Sequence, residues 1–404
     1  MDLTYYLKNN LIIDNTKELS SSKLFLKTSQ NAKYSANIKD YITPKKLLNS
    51  LNLKTKFIGI TGTNGKTTTA FVLGFLLRSL GYSVAVQGTE GLFFNGEEKE
   101  KKTLTTPPIF TTIKRAFKYK PDFFIMEVSS HAIVQNRIEG IDFSAKILTS
   151  FSQDHLDFHK SMDEYKKVKE LFFKDETIKI LKGKLLSQNE VEIDGYRFRV
   201  NSKNLYVLEK PIVNEISMAG EFNKMNFSLA LKTAQLLTKE DLEKLKEVIK
   251  RFSGVPGRME IVSKNPLIIV DFAHTPDGIE KVLKAVEGKK IVVFGAGGNR
   301  DGNKRHLMGK AADKYADYII LTEDNPRCEE KKKICLDIAS GIKNTPFDII
   351  LDRKEAVKKA LEIAKEKNMV LFLLGKGDEK YIEYCNNKIR YNDKEFVKRL
   401  VGGF

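Results

Sequence analysis

The apolar run Lys56-Phe57-Ile58-Gly59-Ile60 leads directly into Thr61-Gly62-Thr63-Asn64-Gly65-Lys66-Thr67-Thr68-Thr69, which opens a second apolar stretch, AFVLGFLLRSL, closed by Gly81. A strand-length run, a glycine turn and then a helical pattern is the context in which a backbone can cradle phosphate. Glycines 62 and 65 let main-chain N–H groups approach phosphate oxygens, and the helix N-terminus adds the positive end of its dipole. Lys66 is suited to bridge the β- and γ-phosphates, and the Thr67 hydroxyl to hold Mg²⁺. The loop departs from the generic GxxxxGK[ST] form because Ile60 stands at the place of its first glycine, leaving a tighter GTxGKTT. Gly62, Thr63, Asn64, Gly65, Lys66, Thr67 and Thr68 are the candidate nucleotide-binding residues. Alone, the loop leaves open any triphosphate-using enzyme or regulatory NTPase.

Beyond the loop, SVAVQG at 83–88, FFIME at 123–127 and AKILTSF at 145–151 alternate with amphipathic stretches. Strands alternating with helices predict βαβ units, an α/β class and a mostly parallel sheet. A second series follows the turn at Val255-Pro256-Gly257: PLIIVD at 266–271, KIVVF at 290–294, DYIILT at 317–322, FDII at 347–350 and MVLFLL at 369–374. Domains are expected at 51–256 and 257–404, with EVEIDGYRFRV at the periphery of the former. Residues 1–50, polar apart from KLFLK at 23–27, form a short leading piece. A chain of 404 residues exceeds what one core usually serves, about 250 to 300 residues.

Sixty-nine Lys and Arg against 52 Asp and Glu give a formal charge of +17. Because the basic residues are scattered among acidic ones, a solvated surface that attracts anionic substrates is expected, with no nucleic-acid partner. No apolar run approaches the roughly 18 residues of a membrane span, and Met1 to Ile12 lack the order of a secretory leader. A cytoplasmic protein with no membrane partner is expected. Cys328, Cys335 and Cys385 are too few and too irregularly spaced for a disulfide framework or a zinc site, so reduced thiols are expected.

A series of ordered motifs narrows the function. TGTNGKTTT at 61–69, TTP at 105–107, MEVSSHAIVQNR at 126–137, DHLDFH at 154–159, Tyr165 to Lys169 and FNKMN at 222–226 come first. PGRME at 256–260, VDFAHTPD at 270–277, FGAGGNRD at 294–301, DNPR at 324–327 and GKGDE at 375–379 follow. On these the chain resembles the Mur ligase family over nearly its whole length. The resemblance implies three domains: a shortened N-terminal UDP-binding domain at 1–50, a central P-loop ATPase and a C-terminal Rossmann-like domain. It also implies addition of meso-diaminopimelate to UDP-N-acetylmuramoyl-L-alanyl-D-glutamate, with ATP as co-substrate and Mg²⁺ as cofactor, by a monomer.

Residue roles follow from the matched positions. Glu127 ends an apolar strand, where a buried acid is costly unless it meets a cation, and magnesium would satisfy it. His155 matches a histidine that contacts a second magnesium. Lys169, four positions after Tyr165, reads from composition as one more surface lysine. The resemblance makes it the lysine that reacts with CO₂ to give an anionic carbamate, which needs the neutral amine and hence an offset of the ordinary value of about 10.4. Thr67, Glu127, His155 and Lys169 are thus the implied metal residues, and Lys66, Glu127, His155 and Lys169 the implied catalytic ones. Asn223, Asn226, Arg258, Asp271 and His274 match nucleotide-site positions. Thr105, Thr106, Ser129, Gln135 and Arg137 match residues that hold the UDP-muramoyl peptide.

Meso-diaminopimelate carries one more carboxylate than lysine, and Arg327 of DNPR can grip it through two parallel hydrogen bonds. Sites built around such a contact reject analogues lacking it by roughly 10⁴ to 10⁵. Arg300, Asp324, Asn325, Pro326, Gly375 and Glu379 match the other amino-acid contacts, Glu379 being suited to the distal ammonium. Two positions depart from the family pattern, Asp378 for a histidine in GKGDE and His306 for a proline after Lys304-Arg305. In the short N-terminal piece only Asp14-Asn15-Thr16-Lys17 and Leu24-Phe25 resemble the UDP-site pattern. The rival readings are the same ligation with L-lysine, folylpolyglutamate synthase, which shares the ATPase core, and a regulatory P-loop ATPase. DNPR and MEVSSH argue against folylpolyglutamate synthase.

Overall fold

The computed structural model describes residues 2–101, 104–201 and 203–402. The chain divides into two compact units, the first made of Met1–Phe151, Asp163–Asn214 and Met225–Phe252, the second of Ser152–Met162, Glu215–Lys224 and Ser253–Phe404.

The first unit is built on an eight-stranded sheet in the order Leu205–Leu208, Ile178–Lys182, Phe143–Leu148, Lys56–Thr61, Phe123–Glu127, Val84–Gly88, Gly91–Phe94, Glu97–Glu100. The first six strands are parallel, and the last two turn back antiparallel. Inner parallel strands are covered on both faces, which is why they read as unbroken apolar runs. Ile58, Ile60, Phe124, Ile125 and Ile147 are fully buried. Each such side chain contributes about 1.5–3 kcal/mol. The expected strand at 145–151 begins and ends earlier, at Phe143–Leu148, and Thr149 and Ser150 leave it to brace the glycine turn. Of the region around EVEIDGYRFRV, Ile178–Lys182 and Leu205–Leu208 extend the main sheet. Lys184–Ser187, Glu190–Ile193 and Tyr196–Arg199 make a separate antiparallel sheet.

The leading residues have their own three-stranded parallel sheet, Ile12–Ile13, Leu24–Leu26 and Tyr41–Ile42. Leu7, Ile12, Leu24, Leu26 and Leu47 share one apolar cluster with Ile109, Phe110 and Ile113, so this piece gains its core by packing on the helix Ile109–Tyr119.

In the second unit six strands run Glu260–Lys264, Leu267–Asp271, Val370–Leu374, Lys290–Phe294, Tyr318–Leu321, Phe347–Ile349. All pairs are parallel except the first. The last strand in sequence lies between two early ones, so the loops after Asp271, Phe294, Leu321 and Leu374 gather at one edge. Crevices outside the carboxyl ends of such strands are where open α/β sheets bind ligands. Among the described residues no helix is long and apolar enough to cross a membrane.

Arg327 and Tyr384 form an isolated parallel bridge, which sets the next residues side by side, and Cys328 and Cys385 are joined by a disulfide. The expectation of three reduced thiols is thereby corrected; a separation of 57 residues in the chain gave no hint of that backbone pairing. Cys335 remains a buried thiol, pushed up to about 12 by burial. Titration of the unfolded chain with a thiol reagent is expected to count one thiol before reduction and three after; three before reduction would contradict the bond.

Candidate active site

In the first unit the glycine turn is fixed by close contacts. Gly62 and Gly65 have φ of +147° and +88°. A Cβ on Gly62 would lie 2.0 Å from Thr149 Oγ1, and one on Gly65 2.4 Å from Asn226 Oδ1. Only glycine fits at either place. Thr63 N–H donates to Ser150 O at 3.0 Å and Asn64 N–H to Ser150 Oγ at 2.9 Å, so the end of the neighbouring strand holds the turn. The helix Lys66–Ser79 begins there, with Thr67 and Thr68 buried in its first turn. The Lys66 ammonium lies back across the turn, donating to the carbonyls of Gly62 and Thr63 at 2.7 and 3.0 Å.

Glu127, at the end of its strand, is buried, and its carboxylate accepts from Thr89 N–H at 3.0 Å and Thr89 Oγ1 at 2.9 Å. Gly88 makes room for it, since a Cβ there would lie 2.1 Å from Glu127 Oε1. The donors that Thr89 gives Glu127 are neutral, and a buried carboxylate held in this way suits a cation. No group of three or more His, Cys, Asp or Glu side chains is assembled for a metal among the described residues. Magnesium takes one or two carboxylates and fills the rest of its shell with water and phosphate oxygens, so the buried carboxylate of Glu127 is a donor of the kind it takes.

Lys169 is not a surface lysine. Gly59 lacks the side chain that would collide with Phe172, 2.6 Å away, so the helix Met162–Phe172 lies close on the strand. One turn earlier on that helix, Lys169 reaches the strand's end, where its buried ammonium donates to Thr61 Oγ1 at 3.0 Å and lies 4.8 Å from the centre of the Tyr165 ring. Tyr165 in turn is hydrogen-bonded to Thr63 Oγ1 at 3.2 Å.

The residues matched to the muramoyl peptide join Glu127 in one network. Thr106 Oγ1 donates to Glu127 O at 2.9 Å and accepts from Ser129 N–H at 3.0 Å. Arg137 Nη1 donates to Thr106 O at 2.9 Å, while its Nε is buried without a hydrogen-bond partner. Thr105 lies 3.3 Å from Thr89, hydroxyl to hydroxyl. Gln135 stands apart, closing the helix Ser130–Val134.

The second unit holds two groups. In one, Asp154 is buried between His155 at 3.4 Å and Lys304 at 3.1 Å. Burial opposes its ionisation, but His155 and Lys304 outweigh it and hold the carboxyl well below the usual range. Lys304 was not foreseen, although it lies in the same Asn303-Lys304-Arg305 run as the noted departure. His274 donates Nδ1–H to Phe272 O at 2.9 Å, leaving Nε2 as the acceptor. Burial, helped by Lys304, pushes this imidazole down. Asp271 accepts from Met259 and Ala273 N–H, both at 2.7 Å, and burial raises its carboxyl despite Arg258. Arg258 stacks 4.3 Å over the Phe272 ring, and the Asn223 amide donates to Ala219 O at 2.8 Å.

The other group gathers the predicted amino-acid contacts. Arg327, at φ +50°, pairs through Nε with Glu383 at 3.1 Å and donates from Nη1 to Gly298 O at 2.9 Å; neither contact uses Nη2. Gly298 admits the backbone at Pro326, whose carbonyl oxygen would lie 1.9 Å from a Cβ. Asn325 Nδ2 donates to Glu379 Oε2 at 2.8 Å, and Gly375 packs on Asp324. Arg300 is exposed. Lys376, which no reading of the motif selected, is fully buried among these residues. The two departures are accommodated: His306 is exposed in the first turn of the helix Arg305–Tyr315, a place where proline is also tolerated, and Asp378 binds Lys380 at 2.8 Å.

Two family models match the chain, the Mur ligase middle domain over residues 60–184 and the Mur ligase, glutamate ligase domain over 257–377. The chain is 39% identical to the UDP-N-acetylmuramoyl-L-alanyl-D-glutamate–2,6-diaminopimelate ligase of Helicobacter pylori, over 96% of this chain and 93% of that one. It is 40% identical to the ligase of the same name from Helicobacter hepaticus, over 93% and 89% of the two chains. A solved structure of a ligase of this name superposes with a TM-score of 0.61 at 24% identity, covering 97% of this chain and 94% of that one. Mycobacterium tuberculosis folylpolyglutamate synthase superposes with a TM-score of 0.63 at 15% identity, over 82% and 91% of the chains, a likeness of fold alone.

Proposed function

Because the chain belongs to the Mur ligase family, we propose that it is the ATP-dependent ligase that joins meso-diaminopimelate to UDP-N-acetylmuramoyl-L-alanyl-D-glutamate in peptidoglycan precursor synthesis. What supports the choice of amino acid is the layout of charged side chains in the second unit, with Arg327 beside Glu383 in one part and the carboxylates of Asp324 and Glu379 beside Lys376 in another. A diamino diacid has the matching ends. The near full-length identity to ligases so named supports the same choice.

In this reading one of the two free carboxylates of the dipeptide's D-glutamyl residue attacks the γ-phosphorus of ATP, forming an acyl phosphate and releasing ADP. The amine of diaminopimelate then adds to the acyl carbon and inorganic phosphate leaves. The backbone of the glycine turn holds the phosphates, and Lys66 swings from its two carbonyl contacts to neutralise charge that develops on the transferred group. Thr67, Glu127 and Lys169, the last as its carbamate, would hold magnesium, which supplies charge neutralisation at the phosphates when bound. His155 keeps the role the resemblance gives it, a contact to a second magnesium. Thr105, Thr106, Ser129, Gln135 and Arg137 hold the muramoyl peptide, the buried Arg137 Nε being a donor available to it. Asn223, Asn226, Arg258, Asp271 and His274 serve the nucleotide. The three-part division at 1–50, 51–256 and 257–404, a monomer and a cytoplasmic location belong to the same proposal.

The test is phosphate release with UDP-muramoyl dipeptide, ATP and magnesium, comparing meso-diaminopimelate with L-lysine. Turnover with the former and little with the latter is expected; equal use of both would overturn the specificity. Arg327→Ala should raise KM for meso-diaminopimelate by about 100-fold, the loss of a charged hydrogen-bonding partner, and leave KM for ATP unchanged. An unchanged KM for the amino acid would remove Arg327 from the pocket.

A further inference from the structure

The Lys376 side chain is fully buried, and its ammonium is surrounded by oxygen. It donates to Asn325 Oδ1 at 2.8 Å, Glu379 Oε2 at 2.8 Å and Tyr381 O at 2.6 Å, with Asp324 Oδ1 at 3.6 Å. An ammonium has three protons and no lone pair, so these three acceptors use its whole capacity. The contact settles which way the Asn325 amide points: its oxygen receives Lys376 and the Glu383 N–H at 2.9 Å, and its nitrogen donates to Glu379 at 2.8 Å. Asn325, Glu379 and Lys376 therefore form a closed triangle of hydrogen bonds.

Asp324 and Glu379, both buried or nearly so, converge on the Lys376 ammonium. Two carboxylates brought together in this way favour a cation, and the ammonium end of a diamino diacid is one.

We propose that Lys376 is a positioning residue of the amino-acid pocket, fixing the Asn325 amide and the Glu379 carboxylate in the orientation that receives the ammonium end of the substrate. The proposal rests on the reading of this pocket given above. Lysine suits the task because a compact, rotatable ammonium can meet three converging acceptors. The planar fork of arginine cannot place one nitrogen among all three.

The test uses the full chain with Lys376→Met and, since a buried methionine beside two carboxylates can cost the fold, Lys376→Arg as the charge-keeping variant. Two readouts are taken: KM for meso-diaminopimelate, and trapping of the acyl phosphate by hydroxylamine, which needs ATP and the muramoyl dipeptide but not the amino-acid pocket. Lys376→Met should raise that KM by about 30-fold or more and Lys376→Arg by about 10-fold, with hydroxamate formation within about twofold of wild type. A KM within about threefold of wild type in the folded variants, or hydroxamate formation falling in step with ligation, would overturn the proposal. Wild type run alongside separates the two levels. If it traps acyl phosphate but does not use meso-diaminopimelate, the pocket reading fails and Lys376 with it; if it uses the amino acid while both variants keep its KM, only the role of Lys376 fails.

Discussion

Lys66→Met is expected to lower the rate of ligation by about a thousandfold or more while leaving the fold intact. The ammonium donates to two carbonyls of its own turn, at 2.7 and 3.0 Å, and the turn is also held by Ser150 and Thr149. Removing it therefore subtracts charge from the phosphate site without dismantling it. Losing one preorganised donor to a developing charge costs about 10² to 10³ in rate, and the γ-phosphoryl group depends more on such charge than on covalent help. The check is steady-state phosphate release beside thermal unfolding. A variant that folds and keeps more than about a tenth of wild-type turnover would place phosphate activation elsewhere.

The second large effect concerns Lys169. As the proposed carbamate it would present a negative charge to magnesium; as arginine it cannot react with CO₂ and keeps its positive charge. Lys169→Arg is expected to cost about 10² to 10³ in kcat. Because the ammonium is buried against Thr61 and Tyr165, a purely structural role is the competing explanation, and Lys169→Met separates them. Methionine keeps the packing, so under a structural role it would retain activity, whereas under the carbamate reading it fails as arginine does. Mass spectrometry of the intact wild type in bicarbonate, expected to find the added mass of CO₂ on Lys169, completes the check.

Lys169 also illustrates what the sequence could disclose. The strands of both sheets were legible because buried parallel strands cannot hide their apolar runs, and the glycine turn because its φ values and close contacts tolerate no other residue. Lys169 gave a weaker sign. Tyr165, Val168, Lys169 and Phe172 fall at helical spacing on one buried face, so a lysine occupies a core position. Lys376 gave less, since its burial arises partly from Asn325, which reaches it from another part of the chain, and partly from the backbone returning at Tyr381. The disulfide was hidden for the same reason: the pairing of Arg327 with Tyr384 is a tertiary fact. Thr89, which holds the Glu127 carboxylate, carries no motif at all.

Heavy oxygen placed in both carboxylates of the dipeptide's D-glutamyl residue tests the central claim most directly. With ATP, magnesium and meso-diaminopimelate, one labelled oxygen should appear in each phosphate released, because the carboxylate oxygen that attacks phosphorus leaves with it. Amide formed with unlabelled phosphate would contradict an acyl phosphate made at the glycine turn.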